Sequence, residues 1–263
     1  MINPNIALKK SKLLEMPSNT QLTKLSNFKK ENILFLEPQV AKIPNSTLTY
    51  KRIPMQYKNK NQTVGDFVLQ VSSDEIFSYG VQLNKFEQSQ GKIGYSMALL
   101  IGPNSKFEAA LNDVKARAKQ YLIENCVALG KKKTDMEFYC NKWRLVWYKR
   151  DKETDEIVEG SSPTYYAKLI YSQKNSKIVT NFYDMDNKSK IDPLNILDKY
   201  CHVKAAIKVE SIFVGKEISL QIKLYEAEVR LVDSGLKRLI STDSDSDSDV
   251  DAEAPDSTDE DNY

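Results

Sequence analysis

Two long strand-like runs near the C-terminal end constrain this chain most. "VKAAIKVESIFV" (203–214) and "EISLQIKLYEAEVRLV" (217–232) are separated by little more than Gly215-Lys216. Runs of that length joined by so tight a turn can only pair antiparallel, since a parallel pair needs a crossover of a dozen residues or more. The rest of the body must therefore build onto a long hairpin.

Upstream segments supply compatible partners. From Thr47 the period of apolar residues is two: "TLTYKRIPMQY" and "TVGDFVLQV" read as strands joined by the polar turn "KNKNQ". "IFSYGVQL" and "GYSMALLIG" follow as two more candidates, then "EFYCNKWRLVWYKR", "YYAKLIYS" and "KIVTNFYD". Between them lies one clear helix. Ser105 and Glu108 have capping-box spacing, and Phe107, Leu111, Val114, Ala118, Tyr121 and Leu122 recur at three- and four-residue steps. Gly130 and the lysines 131–133 suit its C-terminal end. Asp192-Pro193 predicts a short second helix with Leu194, Leu197 and Cys201 on one face.

Consecutive strands with short links predict an α+β, β-dominated fold: an elaborated OB-fold-like antiparallel barrel with one long and one short helix. Pro4, Pro17 and Pro38 break up the first forty residues, so 1–40 is read as an N-terminal arm, 41–240 as an OB-like nucleic-acid-binding domain and 241–263 as a disordered acidic tail.

Charge is divided along the same lines. Of 36 Asp and Glu residues, ten lie beyond Ser241, where there is no Lys or Arg; residues 1–240 thus carry a formal +12 inside a chain of formal net charge +2. Few sites for catalysis are visible. Phosphate-loop and dinucleotide glycine patterns are absent, and His202 is the lone histidine, without an orienting partner. The three cysteines, Cys126, Cys140 and Cys201, are odd in number and widely spaced, which disfavours a zinc site or a disulfide framework and suits a reducing compartment. Asp184 and Asp186 in "YDMDNKSK" read as a solvated turn rather than as nuclease metal ligands. The first twenty residues lack the apolar core of a signal peptide, and no run reaches the ~20 apolar residues that span a bilayer. A soluble, intracellular, non-enzymatic protein is expected, with no cofactor, no metal and no membrane partner.

The positive signal is cations interleaved with aromatics. Alternation along "KWRLVWYKR" puts Trp143, Leu145 and Trp147 on one face and Arg144, Tyr148 and Arg150 on the other. A single strand of nucleic acid needs such a surface: charges for phosphates and ring faces for unstacked bases. Arg52, Lys58, Arg144, Lys149, Arg150 and Lys168 are the expected phosphate contacts, and Tyr50, Tyr57, Tyr148 and Tyr166 the expected stacking rings. Tyr263, at the end of "DEDNY", is an aromatic beside clustered carboxylates that a partner's apolar pocket with a basic rim could capture. A different class, an acidic-tailed chaperone or scaffold for basic proteins, fits the same tail.

The segment "YCHVKAAIKVESIFVGKEISLQIKLYEAEV" (200–229), with "KIVTNFYD", "DPLNILDKY" (192–200) and "FSYGVQ" (77–82), resembles the single-stranded DNA-binding proteins of nucleocytoplasmic large DNA viruses, over roughly residues 45–235. The resemblance implies an OB-fold body that coats single-stranded DNA, or RNA, with little sequence preference during viral replication, recombination or repair. It implies self-association, recruitment of replication proteins by the tail, and a location in the host cytoplasm, at the virus factory, or in the nucleus.

An acidic segment on a basic body competes with nucleic acid for the same cations, and the competition fades as salt shortens the Debye length. Deleting residues 241–263 is therefore expected to tighten binding to oligothymidine, most at low salt; fluorescence-anisotropy titrations of both forms across a salt series measure it.

Overall fold

The computed structural model describes residues 20–42, 47–84 and 93–232. The first nineteen residues of the expected arm, the acidic segment 241–263 and Tyr263 lie outside them. Residues 1–232 form one unit, which holds every described strand and helix, and 233–263 form a second.

The longest pairing of the first unit is the expected hairpin. Strand β13 (Cys201–Val214) runs antiparallel to β14 (Ile218–Leu231), from Cys201 opposite Leu231 to Val214 opposite Ile218. On its other edge β13 takes three partners in succession. Cys201–Val203 pair with β6 (Ile76–Leu83), Ala206–Lys208 with β5 (Val64–Gln70), and Ser211–Val214 with β4 (Thr49–Lys58). Its pairing with β14 is bulged twice: at Ala206/Ile207, opposite the β5 stretch, the extra residue is Tyr225 of β14, and at Val209/Ser211, between the β5 and β4 stretches, it is Glu210 of β13. The sheet curls in consequence into a half-barrel.

The curl is extended on one side by β7 (Tyr95–Leu100), antiparallel to β6, and by β8 (Thr164–Lys168), antiparallel to β7 after an excursion that holds both helices. A parallel bridge between Leu169 and Leu224 ties the end of β8 to β14. On the other side, β4 and β5 receive the second half of the expected arm: β1 (Gln21–Thr23) pairs parallel with β5, while β2 (Ile33–Phe35) and β3 (Gln39–Lys42) pair antiparallel with β4. From Gln21 onward the arm is thus part of the sheet. The short hairpin β9 (Tyr171–Ser172) and β10 (Lys177–Ile178) stands apart, and β11 (Asn181–Asp184) joins β14 in parallel with β12 (Lys190–Ile191) at its edge. The sheet is largely, not wholly, antiparallel.

Helix α1 (Lys106–Glu124) supplies the other half of the core. Phe107, Leu111, Val114, Ala118 and Leu122 are all fully buried, as their spacing requires. Phe107 meets Tyr165 of β8 edge-on, and Tyr121 stacks on Phe35 of β2. Half of the expected capping box forms: Ser105 Oγ accepts the Glu108 N–H, and the Glu108 carboxylate is engaged by Tyr148. No described helix is long and apolar enough to cross a membrane.

Two expectations are corrected. The strand-like run 137–150 begins as a second helix, α2 (Lys133–Asn141), whose Asp135 carboxylate accepts the Lys132 N–H and whose Met136 and Cys140, four residues apart, are buried. After it, Trp143 is buried and donates its ring N–H to Ile218 O at 2.9 Å. The chain then continues irregularly, with bridges only at Trp147–Thr164 and Arg150–Ile157. The helix expected after Asp192 is a single 3-10 turn, Pro193–Ile196. Asp192 caps it as foreseen, yet Pro193 and Ile196 are the buried residues, Leu194 and Leu197 are exposed, and Cys201 belongs to β13.

One glycine is indispensable. Strand β6 carries an extra residue relative to β7, since Ser78 faces Leu99 and Val81 faces Met97, so that Tyr79 and Gly80 together oppose Ala98. Gly80 has φ +79°, and a Cβ there would sit 2.3 Å from Lys199 O and 2.5 Å from Ile196 O. Left-handed strain and a clash with backbone coincide, so Gly80→Ala is expected to destabilise the fold by roughly 2–4 kcal/mol, read as a lowered midpoint in urea denaturation.

Candidate nucleic-acid interface

On the three-stranded face β6–β7–β8, alternation assigns each side chain a side. Ser78, Leu99 and Tyr165 lie in one row and are buried in the core. The neighbouring row, Tyr79, Ala98 and Tyr166, points the other way. The buried Ser78 hydroxyl donates to Ala98 O at 2.6 Å and accepts the Gly80 N–H at 3.1 Å, which stitches the bulge and turns Tyr79 outward. Beyond β8, Trp147 exchanges two backbone hydrogen bonds with Thr164, at 2.9 and 2.8 Å, and so extends the face by one more ring.

The result is an open groove of about 570 Å³ lined by Tyr79, Trp147, Tyr148 and Tyr166, with Leu100 and Thr164 between them and Lys149, Ser161 and Ser162 also lining it. Trp147 is 50% exposed, Tyr166 47% and Tyr79 39%. Three aromatic side chains on one face of a sheet each keep surface open to a ligand. The Arg144 guanidinium lies 5.9 Å from the centre of the Trp147 ring, within cation–π range. Lys168 is exposed two residues beyond Tyr166 on the same strand face. The Tyr148 hydroxyl donates to Glu108; burial first, and then this bond, push its pKa up to about 12.

The structure therefore gathers Arg144, Tyr148, Lys149, Tyr166 and Lys168 of the expected set and leaves the others elsewhere. Tyr57 is in the core: alternation along β4 sends Ile53, Met55 and Tyr57 inward, and the Tyr57 ring stacks on Phe67 while its hydroxyl accepts from Lys29 N. It has no free face for a base. Lys58, the next residue, closes the same strand. Tyr50 packs against Phe213, and Arg52 donates to Ser211 at 3.0 Å beside Glu210. Those two sit opposite the far end of β13, eleven residues from His202 and the groove side, roughly 35 Å along an extended strand. Arg150 is tied to Asp155 within its own hairpin. Asp184 accepts the N–H groups of Asp186 and Asn187, and Asp186 pairs with Arg230. Trp147 and Tyr79, absent from the expected set, are the largest contributors gained. Gly80 inside an otherwise regular strand was the signal for Tyr79, since such a glycine marks a bulge.

Comparison with known proteins adds a lineage. The family described as "Protein of unknown function (DUF2738)" matches residues 26–263. The Early 31 kDa protein of Frog virus 3 (isolate Goorha) is 26% identical over 211 residues, covering 76% of this chain and 77% of its own length. Uncharacterized protein 007R of Invertebrate iridescent virus 3 is 26% identical over 168 residues, 58% of this chain; the match spans 34% of that protein's length.

The raised Tyr148 phenol has a pH signature. An unfolded chain loses this proton near the ordinary value of 10, whereas the folded chain holds it to about 12. Its contribution to stability is complete below about pH 10 and is lost as pH rises toward the folded value. Ultraviolet titration of the wild type minus Tyr148→Phe is expected to show this late phenol, and Glu108→Gln to move it down toward 10.

Proposed function

The chain belongs to the DUF2738 family, and we propose that it binds single-stranded DNA through the aromatic groove, without strong sequence preference, in the replication, recombination or repair of a viral genome. The observation that carries this reading is the set of three exposed rings, Tyr79, Trp147 and Tyr166, on one sheet face with Arg144 and Lys149 beside them. Every base has a π-face, so stacking on such rings binds single strands and tolerates any sequence, whereas the bases of a duplex are already stacked on each other.

The half-barrel supports an OB-like reading. Strands β13, β6, β7, β8 and β14 pair in a ring, with the Leu169–Leu224 bridge as its last link, and a small, partly open five-stranded barrel is the scaffold on which OB-folds present nucleic-acid faces. A viral relative whose name calls it early accords with work at the stage of genome copying. The acidic segment is assigned two duties in this scheme, competition with DNA and recruitment of replication proteins, Tyr263 being the docking ring.

A fluorescent oligothymidine titrated with the full chain at several salt concentrations tests the reading. Stacking is worth about 1–3 kcal/mol per base, so Trp147→Ala and Tyr166→Ala are each expected to weaken binding roughly tenfold, and Trp147 fluorescence to be quenched on binding. Equal affinity for duplex of the same length, or variants that bind as wild type, would remove the proposal. Binding of basic proteins but not of oligonucleotides would favour the chaperone alternative.

A further inference from the structure

Past Tyr79 the rings continue. Tyr79 meets Phe77 edge-on at 5.5 Å and Tyr200 at 5.8 Å; Phe77 lies 5.7 Å from Tyr200 and 6.1 Å from His202. Tyr200 is 58% exposed, more than any ring of the groove itself. Phe77 is opposite His202 in the β6–β13 pairing. The aromatic surface thus crosses from β8 over β7 and β6 to the start of β13, at right angles to the strands.

Electrostatics distinguishes the two ends of this surface. Beyond Trp147 lies the hairpin 149–158, closed by Val158 N to Lys149 O and Asp151 N to Glu156 O. It and the residue after it expose Asp151, Glu153, Asp155, Glu156 and Glu159 against Lys149 at the groove, Arg150, which pairs with Asp155, and Lys152; past Arg150 the acids are in excess, and a phosphate chain leaving that way would run into them. At the other end Lys199 and Lys204 are exposed. Two acids near them are already paired, Glu75 with Arg230 and Glu228 with Lys188, and Asp198 adds one negative charge against the two lysines.

The middle of the surface has a covered floor. Tyr79 and Tyr166 flank Ala98 from the strands on either side of it, two strand spacings or about 9.6 Å apart at the backbone. Ala98 is only 1% exposed, so the two rings are separate stacking platforms and bases lie over them rather than on the strand between.

Building on the single-strand reading of the groove, we infer that the bound strand lies across β8, β7, β6 and β13, with bases stacked on Tyr166 and Tyr79 in turn and the chain leaving over Tyr200 and His202, away from the acidic hairpin. From Trp147 to His202 the path is four strand spacings, about 19 Å, enough for about four nucleotides. Tyr200 is then a binding residue, and the acidic hairpin a stop.

Photocross-linking decides it. Full-length protein is irradiated with oligothymidine of about five nucleotides carrying one 5-iodouracil at each position in turn, and adducts are mapped by mass spectrometry. Tyr166, Tyr79 and Tyr200 adducts are expected from successive positions, in that order along the oligonucleotide, and none within 151–159. Tyr200→Ala, at an exposed site that leaves the core intact, is expected to weaken binding of the five-mer about tenfold. Adducts on the hairpin, or an unchanged five-mer affinity in Tyr200→Ala while the wild type binds, would overturn the path and leave the single-strand reading standing. No binding by the wild type at all would remove both.

Discussion

The structure depends on β13 having to satisfy three neighbours in turn. A 14-residue strand that stayed flat would present one continuous edge to one long partner. This one instead meets β6, β5 and β4 in sequence and bends at two bulges, Glu210 between the β5 and β4 stretches and Tyr225 of β14 alongside the β5 stretch. The bends turn the sheet into a half-barrel, and the half-barrel creates a hollow that α1 fills with Phe107, Leu111, Val114, Ala118 and Leu122. They also separate the two ends of β13, so the Tyr50–Arg52 surface and the aromatic face belong to different regions of the molecule.

The second constraint is local and acts through the first. The backbone of Ile196–Lys199 passes so close to β6 that only a glycine fits at position 80. That same glycine permits the bulge, and the Ser78 hydroxyl fixes it from the core side. An interior packing requirement therefore decides which way Tyr79 faces. Likewise Trp143, anchored to Ile218 O inside the body, fixes the start of the segment that carries Trp147 to β8. Both groove rings missing from the sequence-derived set are held in place by buried neighbours.

Periodicity was legible wherever one rule governed a segment. The bounds of "IFSYGVQL" coincide with β6, the Ser105 cap opens α1, and the terminal hairpin pairs along its whole length. Legibility failed where two rules competed. In "EFYCNKWRLVWYKR" aromatic content favours a strand, but Met136 and Cys140, four residues apart and preceded by a capping Asp135, make a buried helical face instead. At Tyr57 cation-aromatic composition suggested a surface, while the parity of β4 placed the ring inward with Ile53 and Met55. Composition tells what a residue can contact; strand parity decides whether it faces a ligand, and parity is fixed by partners remote in sequence. Five of the ten expected contact residues in the body reached one face because residues 142–150 and β8 happen to adjoin.

The body's charge of +12 overstates what a phosphate chain can reach. Lys51 donates to Ala128 O, Lys115 to Trp143 O and Lys131 to Gly215 O, while Lys208 pairs with Asp66, Lys188 with Glu228 and Arg230 with Glu75. These cations are engaged in closing loops and tying strands. Near the groove the exposed cations are Arg144, Lys149 and Lys168, and charges at such positions are screened beyond about 8 Å at physiological ionic strength. Three rings at about 1–3 kcal/mol each outweigh them. The chemistry on this face is thus aromatic first and cationic second, so that the proposed single-stranded ligand would be recognised by the bases it leaves unstacked more than by its phosphates.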